Sequence, residues 1–140
     1  MKFTTEQNKA IVTRFNKEFI EEGNMDTFKE LIDADVINHA SQPGLPGGQE
    51  SFSYFVNTIL RKGFPDLKVE IHHQIAEGDC VTTRKSFHAT HSGEFMGIPP
   101  TNIKVTIRVI DIIRLRKGKY IEHWGMSNLA EVMKELSRKA

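Results

Sequence analysis

Near Gly63-Phe64-Pro65 the chain changes period. Before that point apolar residues recur at helical spacing; after it they fall into four segments rich in β-branched residues, Leu67 to Glu77, Cys80 to His91, Ile103 to Arg116 and Tyr120 to Ser127. Glu77-Gly78-Asp79 and Lys117-Gly118-Lys119 are tight hairpin signals, and strands joined by so short a turn must run antiparallel. Helices followed by a long antiparallel meander leave few architectures. The helices must cover one face of the sheet, which predicts an α+β fold: a cone-shaped curved antiparallel sheet, N-terminal helices on its concave face and a short C-terminal helix.

The helical half carries its own punctuation. Thr4 and Gln7 have the spacing of a capping box, and Ile11, Phe15 and Phe19 then repeat every four residues with Val12 widening the stripe. This predicts a first helix from Glu6 to Glu22, stopped by Gly23. A second is expected from Met25 to Ile32 with Asn24 as its cap, and Val36 to His39 leaves it. Ser41 to Gly48 holds two prolines and three glycines and reads as an ordered, turn-rich loop. Phe52, Phe55, Val56, Ile59 and Leu60 follow the helical period after Gln49, in a third helix that Gly63 and Pro65 end. Leu129, Val132, Met133 and Leu136 share one face of a terminal helix, Leu129 to Ala140. Between the second and third strands, Thr90 to Thr101 reads THSGEFMGIPPT, an irregular crossing forced by two prolines and two glycines.

Length and charge narrow the function. The 140 residues suit one domain, 1–140, able to bury roughly two-thirds of its unfolded surface and so to enclose a small cavity. Nineteen Lys and Arg against eighteen Asp and Glu give no electrostatic support for nucleic acid or an anionic membrane. The first residues form neither a secretory signal nor a membrane span, so a cytoplasmic protein is expected. Cys80, the one cysteine, has no partner for a disulfide or a thiolate metal site. Six histidines lack the two-ligand helical spacing of a zinc protease, no G-x-S-x-G elbow occurs, and the glycines of 44–48 lack the lysine and threonine of a phosphate loop. Neither a metal nor a cofactor is expected.

Chemistry is expected where polar residues point from the strands into the covered face. Asp111 shares one side of its strand with Val109 and Ile113, while Ile110 and Ile112 take the other, so it lies among apolar residues whichever side is buried. Burial would push its pKa up and suit it to act as a general base next to a carbonyl; an ion pair with Arg84, Arg108 or Arg114 is the structural alternative. In the last strand Glu122, Trp124, Met126 and Asn128 alternate onto one face, away from Ile121 and His123. Trp124 can floor a pocket or serve as plain core. Asn128 can reach the rim or form a capping box with Glu131. His39 can exchange a proton near neutral pH or be a satisfied structural histidine, and His91, at the end of its strand before Ser92-Gly93, can line the mouth or simply end the sheet. Arg84 lies on a polar strand face with Thr82, Ser86, His88 and Thr90, open to solvent or cavity. Phe15 and Phe19 are candidate pocket wall.

Several strings occur together and in order: Asn38-His39, Phe64-Pro65-Asp66-Leu67, Glu77-Gly78-Asp79, Thr90 to Phe95, Gly97-Ile98-Pro99-Pro100-Thr101, and Glu122-His123-Trp124. From Asn8 to the terminal helix the chain resembles the SnoaL-like polyketide cyclases, a branch of the nuclear-transport-factor-two-like superfamily. The resemblance implies a cofactor-free intramolecular aldol closure whose acid/base is an aspartate near the end of the last strand. That position is Asn128 here, and an amide does not exchange a proton near neutral pH, so the role would fall to Asp111 or His39. It also marks His39, His91 and Trp124 as pocket residues and Arg84 as a recurring strand arginine.

The resulting expectation is a cyclase or isomerase that binds an apolar carbonyl compound in the cone and moves a proton at carbon. Asp111 or His39 would be the base, with Trp124 and Asn128 polarising the carbonyl. The alternatives are a non-catalytic ligand-binding or dimerisation module and a protein-binding adaptor. A homodimer is expected, because Val109, Ile110, Ile112 and Ile113 give the third strand apolar residues on both sides.

Overall fold

The computed structural model describes residues 2–41 and 47–140. Most of the predicted turn-rich loop, 42–46, lies outside the described residues. Helix α1 (Thr5–Phe15) opens on the predicted capping box: Gln7 N–H donates to Thr4 Oγ1 at 3.1 Å and Thr4 N–H to Gln7 Oε1 at 2.8 Å. It does not stay α-helical to Glu22. From Asn16–Glu21 the ladder widens to a π-helix, and Gly23, at φ +72°, ends it. Asn24 caps α2 (Met25–Leu31), its Oδ1 accepting from Asp26 N–H at 2.9 Å and Thr27 N–H at 3.3 Å. The third predicted helix likewise has three parts: α3 (Gln49–Ser53), a π-helical stretch (Tyr54–Leu60) and the closing turn α4 (Arg61–Gly63).

The four predicted strands form as β2 (Lys68–Glu77), β3 (Cys80–Thr90), β4 (Lys104–Arg116) and β5 (Lys119–Ser127), followed by α5 (Leu129–Lys139). A fifth, β1 (Ile32–Asn38), arises where the sequence suggested only an exit from α2. It pairs parallel with β5, so the sheet is not purely antiparallel, and its order is β1-β5-β4-β3-β2. The sheet is curved and unclosed. Phe15, Phe19, Phe28, Phe52 and Leu60 from the helices meet Val81, Phe87, Ile107, Ile113 and Leu115 from the strands in one buried core. Phe15 is its hub, with ring centroids 4.2 Å from Tyr120 and 5.2 Å from Phe19. Each such side chain taken out of water contributes roughly 1.5–3 kcal/mol.

The Thr90–Thr101 crossing is pinned at both ends. Thr90 N–H donates to Asp66 Oδ1 at 2.7 Å, and Thr101 and Asn102 N–H both donate to the His91 carbonyl. Phe95 is fully buried against Phe64, and Gly93 passes so close to Lys62 that a Cβ there would run into the Lys62 carbonyl oxygen.

Candidate functional site

A cavity of about 190 Å³ lies between the covered face of the sheet and the helices. Phe15, Ile20, Phe52, Phe55, Val56, Phe87, Ile107 and Ile113 give it apolar walls, and Lys85, Asp111 and His123 supply ionisable groups. Both π-helical stretches contribute to the wall, through Ile20 and through Phe55, Val56 and Leu60.

Asp111 is buried, with its Oδ2 2.9 Å from Lys85 Nζ and 3.5 Å from His123 Nε2. Lys85, equally buried, also donates to Asn16 Oδ1 at 2.7 Å, and Asn16 is oriented by its own Nδ2–H, which donates to Val12 O at 2.9 Å. Burial, the largest single influence, pushes the Asp111 carboxyl up. The Lys85 ammonium and His123 more than offset it, and the group sits below its ordinary value. The expected upward shift is therefore reversed. The ion pair weighed as the structural alternative does form, with Lys85 in place of any arginine.

The tautomer of His123 follows from its neighbours. Ala40 N–H donates to Asn38 Oδ1 at 3.0 Å, which identifies that atom as an acceptor; Asn38 Nδ2–H donates to Ser51 Oγ at 3.1 Å, and Ser51 Oγ–H to Gly48 O at 2.8 Å. His123 Nδ1, 2.8 Å from Asn38 Oδ1, must then carry a proton. Nε2 keeps its lone pair in the neutral ring and faces Asp111 at the cavity wall. Tyr120, another wall residue, is held in its protonated form by burial and then by the Asp111 charge.

Of the residues singled out in the sequence, Asp111 and Phe15 line this cavity. Phe19 is buried one turn deeper in the core, 5.2 Å from Phe15. Trp124 lies across the sheet from the cavity, stacked on His39 at 4.9 Å and 9°, with the Arg114 guanidinium 5.8 Å from its ring. His39 also bonds Glu122 Oε2 at 3.0 Å on that outer side. Arg84 is exposed there and donates to His73 Nδ1 at 3.0 Å. His91 is fully buried under the crossing loop, its Nδ1 2.9 Å from Thr101 Oγ1. Asn128 neither lines the cavity nor caps α5; its Oδ1 accepts from Arg108 N–H at 2.7 Å. Convergence of His39, Asp111, Trp124 and Asn128 on one cavity is thus replaced by convergence of Asp111, Lys85 and His123.

A family model described as SnoaL-like polyketide cyclase matches residues 10–136. The chain belongs to that family. Solved structures agree with the assignment. A protein from Jannaschia sp. CCS1 named as a SnoaL-like polyketide cyclase is 28% identical over 95% of this chain and 93% of its own, with a TM-score of 0.82. IdmH from Streptomyces antibioticus, named as a polyketide cyclase, is also 28% identical, over 93% of this chain and 98% of its own, at a TM-score of 0.80. A further protein so named, from Acidithiobacillus ferrooxidans, is 25% identical and aligns over 100% of both chains at 0.83. No curated protein matches the chain. Membership of this family gives the chain a cyclase-like, small-molecule-binding fold. Among the described residues no helix is long and apolar enough to cross a membrane.

Proposed function

We propose that this member of the SnoaL-like family is a cofactor-free cyclase or isomerase that transfers a proton at the carbon beside the carbonyl of a compact apolar compound. The observation that carries the reading is His123, whose Nδ1 proton is committed to Asn38 while Nε2 faces Asp111 inside an apolar cavity. Nε2 accepts the carbon-bound proton, and the imidazolium so formed is stabilised by Asp111. Lys85 offsets the negative charge that develops on the substrate oxygen. Asp111, held below its usual range by Lys85, is a weak base and acts as the partner of the ring. The protonated ring then returns the proton to carbon or to the new alkoxide, giving isomerisation or ring closure.

Proton exchange tests this without knowledge of the natural substrate. The protein in D₂O with 2-tetralone or 1-indanone should accelerate loss of the α-proton signals by NMR, and His123→Gln should reduce that acceleration roughly 100-fold or more while the fold is retained. Equal exchange with and without the protein would leave a ligand-binding module as the better account.

We also propose a homodimer formed through the outer face of the sheet. Ile110, Ile112, Ile75 and Met126 are all exposed there, an apolar surface of a kind that monomers seldom leave to water.

A further inference from the structure

One atom on the cavity wall takes no part in the Lys85–Asp111–His123 arrangement. Asp111 Oδ2 accepts from Lys85 Nζ at 2.9 Å and lies 3.5 Å from His123 Nε2, whereas Oδ1 is buried with no hydrogen-bond partner among the described residues. A carboxylate oxygen withdrawn from water retains its demand for a donor. The space beside it is kept clear by the backbone. Gly125 stands directly opposite Asp111 in the β4–β5 ladder, and a Cβ there would lie 3.3 Å from His123 Nε2 and 3.4 Å from Asp111 Cβ.

Charge limits what can fill that space. A cationic ligand would meet the Lys85 ammonium, already 2.9 Å from the same carboxylate, and an anionic one would meet an oxygen that shares the carboxylate's negative charge. A neutral O–H satisfies Oδ1 without adding charge. Size limits the rest of the ligand. A cavity of about 150 Å³ holds one benzene, so this one, at about 190 Å³, takes one or two rings between Phe15, Phe52, Phe55 and Phe87.

We propose that Asp111 Oδ1 is the recognition point for a neutral hydroxyl donor, phenolic or enolic, carried on a flat apolar ligand of one or two rings. This deepens the small-molecule reading of the cavity and is independent of turnover.

Isothermal titration of the unaltered protein with 2-naphthol, 2-methoxynaphthalene and 2-naphthoate separates the contributions. 2-Naphthol should bind most tightly, by roughly tenfold or more over its methyl ether. Asp111→Asn should erase that preference, and Gly125→Val, checked for folding by circular dichroism, should abolish binding by filling the space. If Asp111→Asn fails to fold, the ligand series and Gly125→Val decide. Equal affinity for the ether, tightest binding of naphthoate, binding of none of the three, or undiminished binding by Gly125→Val would each overturn the proposal. Selective binding of 2-naphthol by a protein that exchanges no α-proton would support it while removing the catalytic reading.

Discussion

Lys85 and Asp111 are each almost wholly out of water, 2% and 6% exposed at the side chain, and neither is tolerable there without the other. Removing one partner strands a buried charge, so Asp111→Leu or Lys85→Met should each cost about 3–5 kcal/mol in urea unfolding, and the double variant should recover most of the loss. The pair also shapes acid stability. Because the folded Asp111 lies below its ordinary value of 3.8, its contribution is fully present above that pH and is lost as pH falls from there through the depressed folded value. Wild type should therefore lose stability below about pH 4 more steeply than the double variant, measured as urea midpoint against pH. Asp111 stood out in the sequence because it interrupts an apolar run. Lys85 did not, since a lysine between Thr83 and Ser86 on a strand reads as solvated until Asn16, 69 residues away in sequence, is brought to it.

A single irregularity between β4 and β5 decides what faces the cavity. Leu115 pairs with Tyr120, but Arg114 pairs with Glu122, so Ile121 is an extra residue on β5 and the register shifts by one beyond it. Without that bulge the tight Lys117-Gly118 hairpin would set Trp124 opposite Asp111 and turn it inward. With it, Gly125 lies opposite Asp111, His123 joins the cavity side, and Trp124 faces out. Alternation therefore grouped the residues of β5 correctly and assigned the wrong group to the interior. Other elements announce themselves locally. Thr4→Ala removes the hydroxyl that accepts from Gln7 N–H, one of the two capping-box bonds, and should cost about 1 kcal/mol in thermal or urea unfolding. Gly93→Ala should cost about 1–3 kcal/mol, because the Lys62 backbone must move to admit the methyl group.

The sheet divides the molecule into a covered face, with the core and the cavity, and an outer face on which Trp124, His39 and Arg114 form a stacked cluster beside exposed Ile110 and Ile112. If that outer face joins two copies, light scattering should give twice the chain mass for wild type, and Ile110→Glu should reduce it to the monomer without altering far-UV circular dichroism. A monomeric wild type would remove the dimer. On that arrangement the aromatic cluster belongs to assembly, and ligand binding belongs to the opposite side of the same strands.

Local signals in the sequence were sufficient for the α+β class, two of the helices with their N-terminal caps, four strands and their two glycine hairpins, and the family. Each depends on residues a few positions apart: a cap and its third neighbour, a period of 3.6 or 2, a glycine where φ must be positive. Three things were left to the tertiary structure: the parallel strand β1, which needs β5 for its hydrogen bonds; the inward face of β5, set by a bulge without a compositional signature; and the Lys85–Asp111–His123–Asn38 constellation, drawn from four strands of one sheet and oriented by Asn16 from the first helical segment. A period determines which residues share a face. Only packing, by covering one face and leaving the other to solvent, determines which of them meet a ligand.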